Sequence, residues 1–427
     1  MNPDKTIRPS ESLSGVRYEI RGRLARRAHE LERMGYEIIS LNIGNPGAFG
    51  FRTPETMRLA MIENLSQAEG YCHQKGIFPA REAVVMQQQA RGVQGVTAED
   101  VFIGDGVSEL IDLVLRALLN DGDEVLVPSP DYPLWTAAVN LNRGRAVHYP
   151  CRPEHAFIPD PEEIERLITH RTRAIVIINP NNPTGAVYPR EVLEALVRIA
   201  ERHDLVLFSD EIYDQVVYDG AVAVPLATLA RDTLCVTLAG LSKVYRACGY
   251  RVGWAVFSGR VADAGDYLNA LELLCSLRLC SSVPAQWAVQ TALGGYQSIR
   301  ELVSPGGRLY ESRRQIIEAT RASRFLQLAP PAGALYAFVG VNPDLLPNFD
   351  DRQFALELLE QKHVLIAPGQ SFNVPYATHF RITNLPDAGT LSRVFQRMDE
   401  LLETYASGAK DSQPATRSNV VTSARFK

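Results

Sequence analysis

Between about residues 100 and 260 the chain switches repeatedly between short runs that are apolar at every position and longer stretches with helical spacing. Ala174–Ile178 is a bare apolar run ended by Asn-Pro. Leu205–Phe208 and Leu234–Leu238 are two more, and Asp123–Val127 leads into a Pro-Ser-Pro turn. A strand that is apolar on both faces has to be buried on both faces. That is the condition of a parallel sheet covered by helices on each side. The intervening Glu191–His203 puts Val192, Leu193, Leu196, Val197 and Ala200 on one helical face. The pattern predicts an α/β core with a doubly wound parallel sheet.

Beyond about residue 300 the texture changes. A charged helical stretch, Arg308–Ser323, leads through Pro-Pro-Ala-Gly to a short strand at Ala334–Val339. A helix at Arg352–Gln361 and a strand at Val364–Ala367 follow. This reads as a second, smaller α+β domain. Residues 1–14 are polar and read as a flexible N-terminus. Residues 406–427, rich in Ser, Ala, Thr and Lys, read as a flexible tail.

Charge and cysteine usage exclude several function classes. A net charge of -5 gives no basic surface for nucleic acid and no polybasic membrane patch. Cys72, Cys151, Cys235, Cys248, Cys275 and Cys280 form no CxxC pair, so neither a zinc ribbon nor a thioredoxin-like site is expected, and no metal. The N-terminal residues have no signal-peptide core, and no run approaches the roughly 18 apolar residues of a membrane span. A cytoplasmic enzyme is the expectation.

In α/β folds ligands gather beyond the carboxyl ends of the strands, so the residues after each run matter most. Gly104-Asp-Gly106-Val-Ser108 precedes a helical pattern through Leu110, Ile111, Val114 and Leu118, with Ser108 the expected N-cap. Glycines before a helix start expose N–H groups to an anion, a phosphate being the functional reading and a capped helix the plain one. Asn179-Pro-Asn-Asn-Pro-Thr-Gly185 forces a rigid loop that either presents Asn182 outward or bonds its side chains to its own backbone. Ser209-Asp210-Glu211-Ile212-Tyr213 puts two acids and a tyrosine at a strand end. Gly240-Leu-Ser242-Lys243 is followed by Gly249-Tyr-Arg251. A strand-end lysine among small and apolar residues is desolvated, which makes its amine nucleophilic; otherwise it is a surface charge.

Taken together, these segments resemble the class I/II aminotransferases, in family order and spacing, from about Gly15 to Glu403. Tyr18-Glu-Ile-Arg21-Gly, Leu41-Asn-Ile-Gly44-Asn-Pro, Asp131-Tyr-Pro-Leu-Trp135, Cys280-Ser-Ser-Val-Pro-Ala-Gln and Ala292-Leu-Gly-Gly-Tyr296-Gln are most similar to the alanine (glutamate–pyruvate) branch. The resemblance implies the aspartate-aminotransferase-like fold that binds pyridoxal 5'-phosphate. It implies an N-terminal arm and part of the small domain over 15–51, a large cofactor-binding domain over 52–299 and a small domain over 300–405.

It also implies roles. Lys243 would carry the cofactor as a Schiff base and then serve as general base. Asp210 would pair with the ring nitrogen, keeping the ring an electron sink. Tyr213 and Asn182 would bond the ring oxygen, and Tyr132 would stack on the ring. Val107, Ser108, Ser242 and Arg251 would hold the phosphate. Gly240 stands where many members have a hydroxyl residue, which implies one phosphate donor fewer. Tyr71 would reach the phosphate of a neighbouring subunit, implying a homodimer with shared sites. Arg381 and Gly44, with Asn182, would bind the substrate α-carboxylate. Tyr18 and Arg21 would either close over the site, with Arg21 near a side-chain carboxylate, or only pack on the partner.

The implied reaction is transamination between L-alanine and 2-oxoglutarate, with amino acids and 2-oxo acids as small-molecule partners, a second copy of the chain as the protein partner, and neither nucleic acid nor membrane. Other readings on the same fold are an aromatic or branched-chain aminotransferase, a β-lyase and a sugar aminotransferase. Arg381 and the Asn-Asn-Pro-Thr-Gly string speak against the sugar enzyme. A non-catalytic sensor module would need a helix-turn-helix domain ahead of the fold, where this sequence has about fourteen polar residues.

Overall fold

The structure, a computed structural model, describes residues 7–13, 16 and 22–411. The large sheet has seven strands: β1 (Val101–Gly104), β2 (Glu124–Ser129), β3 (Arg145–Pro150), β4 (Thr172–Ile178), β5 (Val206–Asp210), β6 (Leu234–Gly240) and β7 (Gly253–Gly259). Their order in space is β1-β7-β6-β5-β4-β2-β3. All run parallel except β7, which pairs antiparallel with both β6 and β1.

The apolar runs behave as the sequence requires. In β4, Ile175 and Ile177 enter the core on one face, and Ala174, Val176 and Ile178 enter a separate core on the other. Leu207 and Phe208 of β5 divide in the same way. The helix Arg190–His203 covers one face with Leu193, Leu196, Val197 and Ala200 buried, and the helix Val107–Leu118 covers the other. Each such side chain contributes about 1.5–3 kcal/mol by leaving water.

The smaller body holds an antiparallel sheet of β8 (Leu326–Gln327), β9 (Tyr336–Val341), β10 (Ala367–Pro368) and β11 (His379–Thr383), in the order β10-β11-β9-β8. The helices Arg308–Ala322, Asp351–Lys362 and Ala388–Asp411 pack around it.

Four details differ from the sequence reading. Strand β3 carries no continuous apolar signal, being a half-exposed edge strand, and β7 is a strand the sequence reading did not single out, although Trp254–Phe257 is apolar at every position. The strand expected from Ala334 starts at Tyr336, because Ala334 has a φ of 59°. The stretch Val364–Ala367 splits, Val364–Leu365 pairing with Ile39–Ser40 and Ala367–Pro368 joining the small sheet. The last helix runs to Asp411, into the stretch expected to be a tail. Leu391, Val394, Phe395, Met398, Leu401 and Leu402 bury its inner face, and Ala406, Ala409 and Lys410 beyond them favour helix despite Gly408.

Because β7 is the sole antiparallel strand of the large sheet, its beginning lies at the same edge as the ends of the other six. The residues that follow β1, β2, β4, β5 and β6 and those that precede β7 therefore converge.

Candidate active site

At that edge lies a cavity of about 1030 Å³. It is lined by Gly44, Val107, Ser108, Tyr132, Asn182, Asp210, Tyr213, Ser242, Lys243, Arg251 and Arg381, gathering eleven of the residues singled out above. Tyr71 is not among them: it is 82% exposed on the surface of the chain. Tyr18 and Arg21 lie outside the described residues.

Lys243 is half-buried, and its Nζ donates to the Gly44 carbonyl at 2.7 Å. Cys248 Sγ lies 3.8 Å from the same amine. Asp210, the last residue of β5, is almost wholly buried. The Trp135 indole donates to its Oδ2 at 3.0 Å, and the Ile212 N–H reaches Oδ1 at 3.4 Å. Burial pushes its pKa up to about 6, opposed by those two donors. The adjacent Glu211 serves another purpose. Its carboxylate takes a 2.6 Å bond from Arg91 and a 2.8 Å bond from Ser209 Oγ. Asp210 is thus left as the buried acid facing the cavity.

The two Asn-Pro steps after β4 divide their labour. Asn179 Oδ1 accepts from the Tyr188 N–H, and Asn181 Oδ1 from the Thr184 N–H and hydroxyl, so both side chains brace the loop. Asn182 turns outward, and its Oδ1 accepts from Arg381 Nη1 at 2.8 Å.

Arg381 is 1% exposed. Its guanidinium lies between the rings of Tyr336 and Phe372, 4.1 and 4.6 Å from their centroids, and its Nη2 donates to the Asn42 carbonyl. Its Nε has no partner, and no carboxylate pairs with it, among the described residues. A guanidinium cannot shed its charge, so a buried one held by neutral oxygens suits an arriving anion.

The end of the cavity at Val107 and Ser108 is built differently from the sequence reading. Gly106, with φ 81°, caps the helix Val107–Leu118, so Ser108 is its second residue rather than the N-cap. The Val107 and Ser108 N–H groups are then free first-turn donors at the positive end of the helix dipole. Arg251 leans over this turn, bonding the Asp105 carbonyl at 3.2 Å and the Cys248 carbonyl at 3.0 Å. A Cβ on Gly106 would come within 2.2 Å of Arg251 Nη2. Gly240 is explained by the same economy of space, since a Cβ there would meet the Val252 carbonyl at 2.7 Å. No hydroxyl side chain fits at that position.

Two residues of the cavity region went unassigned in the sequence. Trp135 sits one helical turn after Tyr132, and a large aromatic at that spacing was its one signal. Tyr336 is buried beside Tyr213, with the two hydroxyls 3.2 Å apart. Burial raises the Tyr336 pKa, but Lys243 and Arg381 outweigh it and the net shift is downward. Its signal was register: Tyr336 and Phe338 share a face of β9, and Phe338 is the direct partner of Arg381 on β11.

The donor set fits pyridoxal phosphate. A helix start and Arg251 would hold a phosphate, a buried acid held by an indole would meet a ring nitrogen, and Lys243 offers an amine in the same cavity. Such a fold and site define an enzyme that works on amino acids through a lysine-linked pyridoxal cofactor. The family model for aminotransferase class I and II matches residues 36–398, and the chain belongs to that family. It is 48% identical to the glutamate-pyruvate aminotransferase AlaA of Escherichia coli K12, over 93% of this chain and 98% of that protein. It is 45% identical to the alanine aminotransferase of Mycobacterium tuberculosis H37Rv, over 93% and 92%. An aminotransferase from Escherichia coli of known structure superposes with a TM-score of 0.92 at 48% identity, covering 94% of this chain and all of the other. Among the described residues no helix is long and apolar enough to cross a membrane, and no cluster of His, Cys, Asp and Glu could hold a metal ion.

Proposed function

We propose that the protein transfers the amino group of L-alanine to 2-oxoglutarate, giving pyruvate and L-glutamate. The observation that carries this reading is Arg381, a permanent buried cation with no carboxylate of its own. A guanidinium fork in that setting takes a carboxylate bidentately, and every amino and 2-oxo acid brings one. The names of the relatives from Escherichia coli and Mycobacterium tuberculosis support alanine and glutamate as the pair.

The roles follow from the chemistry each group offers. Bound pyridoxal phosphate supplies an electron sink for the carbanion left when the Cα–H bond breaks. Lys243 Nζ would hold the cofactor and, once released, would serve as the base for the Cα proton. Asp210 stays ionised against the ring nitrogen. Tyr213 and Asn182 face the ring oxygen, and Tyr132 backs the ring. Val107, Ser108, Ser242 and Arg251 take the phosphate. Gly44 would add a backbone N–H near the substrate carboxylate. Closure of the smaller body excludes water from the reacting Cα.

The working unit in this reading is a cytoplasmic homodimer in which Tyr71 reaches the partner's phosphate. Exposed apolar side chains support it: Leu59, Ile62, Leu65, Phe78 and Met86 are exposed in the same part of the sequence as Tyr71. Six free thiols suit a reducing compartment. Sedimentation at micromolar concentration should give twice the monomer mass; a monomer would overturn the shared site. A donor panel of alanine, valine, phenylalanine and cystathionine, each with 2-oxoglutarate, tests the reaction. Alanine should give the highest kcat/KM. A higher value for valine or phenylalanine, or pyruvate released from cystathionine without an acceptor, would overturn the proposal.

A further inference from the structure

Behind the cavity wall lies a carboxylate that the reaction does not use. Asp131 is wholly buried, between the end of β2 and Tyr132. The Thr136 hydroxyl donates to its Oδ2, and the Asn373 amide donates to its Oδ1 at 2.9 Å. His148 Nε2 bonds Thr136 Oγ1 at 2.9 Å and stands 4.0 Å from the carboxylate. Thr136 belongs to the helix Pro133–Leu141 of the large body. Asn373 follows the turn Gly369–Phe372, which continues β10 of the small sheet.

The same two segments are joined twice more. The Asp131 N–H donates to the Phe372 carbonyl at 3.1 Å, and Ser129 Oγ donates to the Asn373 carbonyl at 2.8 Å. On one side of this seam stands Tyr132, the ring wall of the cavity. On the other, Phe372 presses its ring on the Arg381 guanidinium. Burial pushes the Asp131 pKa up to about 7, and Thr136 and Asn373 pull against it. A buried acid is costly to keep, and a well-packed apolar residue would cost less if filling space were its only task.

We propose that Asp131 is a positioning residue, one that fixes the Arg381 carboxylate clamp relative to the Tyr132 wall by holding Phe372 and Asn373 against residues 129–132. The inference rests on the reading that Arg381 binds the α-carboxylate of both substrates. Loosening the seam lets Phe372 drift from Arg381, so both substrates lose affinity together while proton transfer at Lys243 is spared.

The test is an exchange of the pair in the holoenzyme. Asn373→Asp sets two carboxylates face to face in a buried site. It should raise KM for alanine and for 2-oxoglutarate together by about tenfold or more, with kcat changed much less. Asn373→Ala removes the donor without adding charge and should move both KM values in the same direction, which keeps the test open if the acidic variant does not fold. The double variant Asp131→Asn/Asn373→Asp restores one amide facing one carboxylate with the roles reversed. It should bring both KM values back to within about threefold of the parent. A purely structural role would lower the thermal midpoint or kcat and leave KM alone, and that result overturns the proposal. So does a double variant no better than Asn373→Asp. If the KM of one substrate alone changes, Arg381 is not a shared clamp and the underlying reading fails; the visible absorption of the lysine-bound cofactor should persist in every variant.

Discussion

Replacing Trp135 with Phe isolates the hydrogen bond that supports the buried acid of the site. The indole donates to Asp210 Oδ2 at 3.0 Å, with both groups out of reach of water. Phe keeps the ring packing against Phe208, whose centroid is 5.6 Å away, and removes the donor. A hydrogen bond to a buried charged group contributes about 1.5–3 kcal/mol, and one pKa unit corresponds to about 1.4 kcal/mol. The Asp210 pKa in the cofactor-free protein should therefore rise by roughly one to two units from its value of about 6.

Two consequences carry opposite signs. Asp210 must be ionised to meet a protonated ring nitrogen, so cofactor affinity falls as pH drops through its pKa. In the variant this loss should set in one to two pH units higher, by roughly the shift above. The stability of the cofactor-free protein responds the other way. A carboxyl whose folded pKa lies above its unfolded value favours the folded state when protonated. Its contribution is therefore lost as pH rises from about 3.8 to about 6. The variant should extend that loss toward neutrality. The assay is the cofactor dissociation constant, read from absorbance titrations across roughly pH 5 to 9, with urea unfolding of the cofactor-free protein alongside. An affinity midpoint that stays in place or moves to lower pH would refute the idea that the indole stabilises an anion.

Lys243→Ala should lose the roughly 420 nm absorption of the lysine-bound cofactor; a spectrum that keeps it would remove Lys243 from its assigned role. Arg381→Leu should raise KM for every amino acid and oxo acid together by about a hundredfold, the loss expected for a charge-assisted pair, and a panel in which one substrate alone suffers would contradict it. Gly44→Ala brings a Cβ to 2.2 Å from the Tyr336 hydroxyl, opposite the carbonyl that receives Lys243 Nζ. Steady-state rates should fall at least tenfold from the displacement, with partial recovery when Tyr336→Phe is added, since that change removes the clashing oxygen.

What the sequence disclosed divides along physical lines. Strands buried on both faces, such as β4, announce themselves because every position must be apolar. The edge strand β3 carries no such requirement and was not legible; β7 meets it over Trp254–Phe257, but the run is only four residues long and flanked by glycines. Lys243, Asp210, Asn182 and Arg381, which line one cavity, could be singled out because they follow strands or match a family pattern in order. Their geometric partners were harder. Nothing local marks the Trp135 indole as a donor to an acid in a distant strand, and the Asn373–Asp131 pair spans 242 positions. The helix cap was misplaced because Ser is the commoner cap, while the positive φ that selects Gly106 is visible only in the backbone. Tyr71 could be named but not joined to the cavity, since its expected target lies on another chain.

The reversed direction of β7 has a consequence for how the protein tolerates change. Lys243 and Arg251 both sit on the single link between Gly240 and Gly253, the amine near its start and the guanidinium near its end. Adding or deleting a residue after β1, β2, β4 or β5 displaces the contacts carried by that one segment and leaves the rest in register. The same edit between Lys243 and Arg251 changes the span between the reactive amine and the anion clamp, and no other segment can take up the error. A scan of single-residue insertions around the cavity edge should therefore find its least permissive stretch there, ahead of the loops that follow Asp210 or carry Asn182.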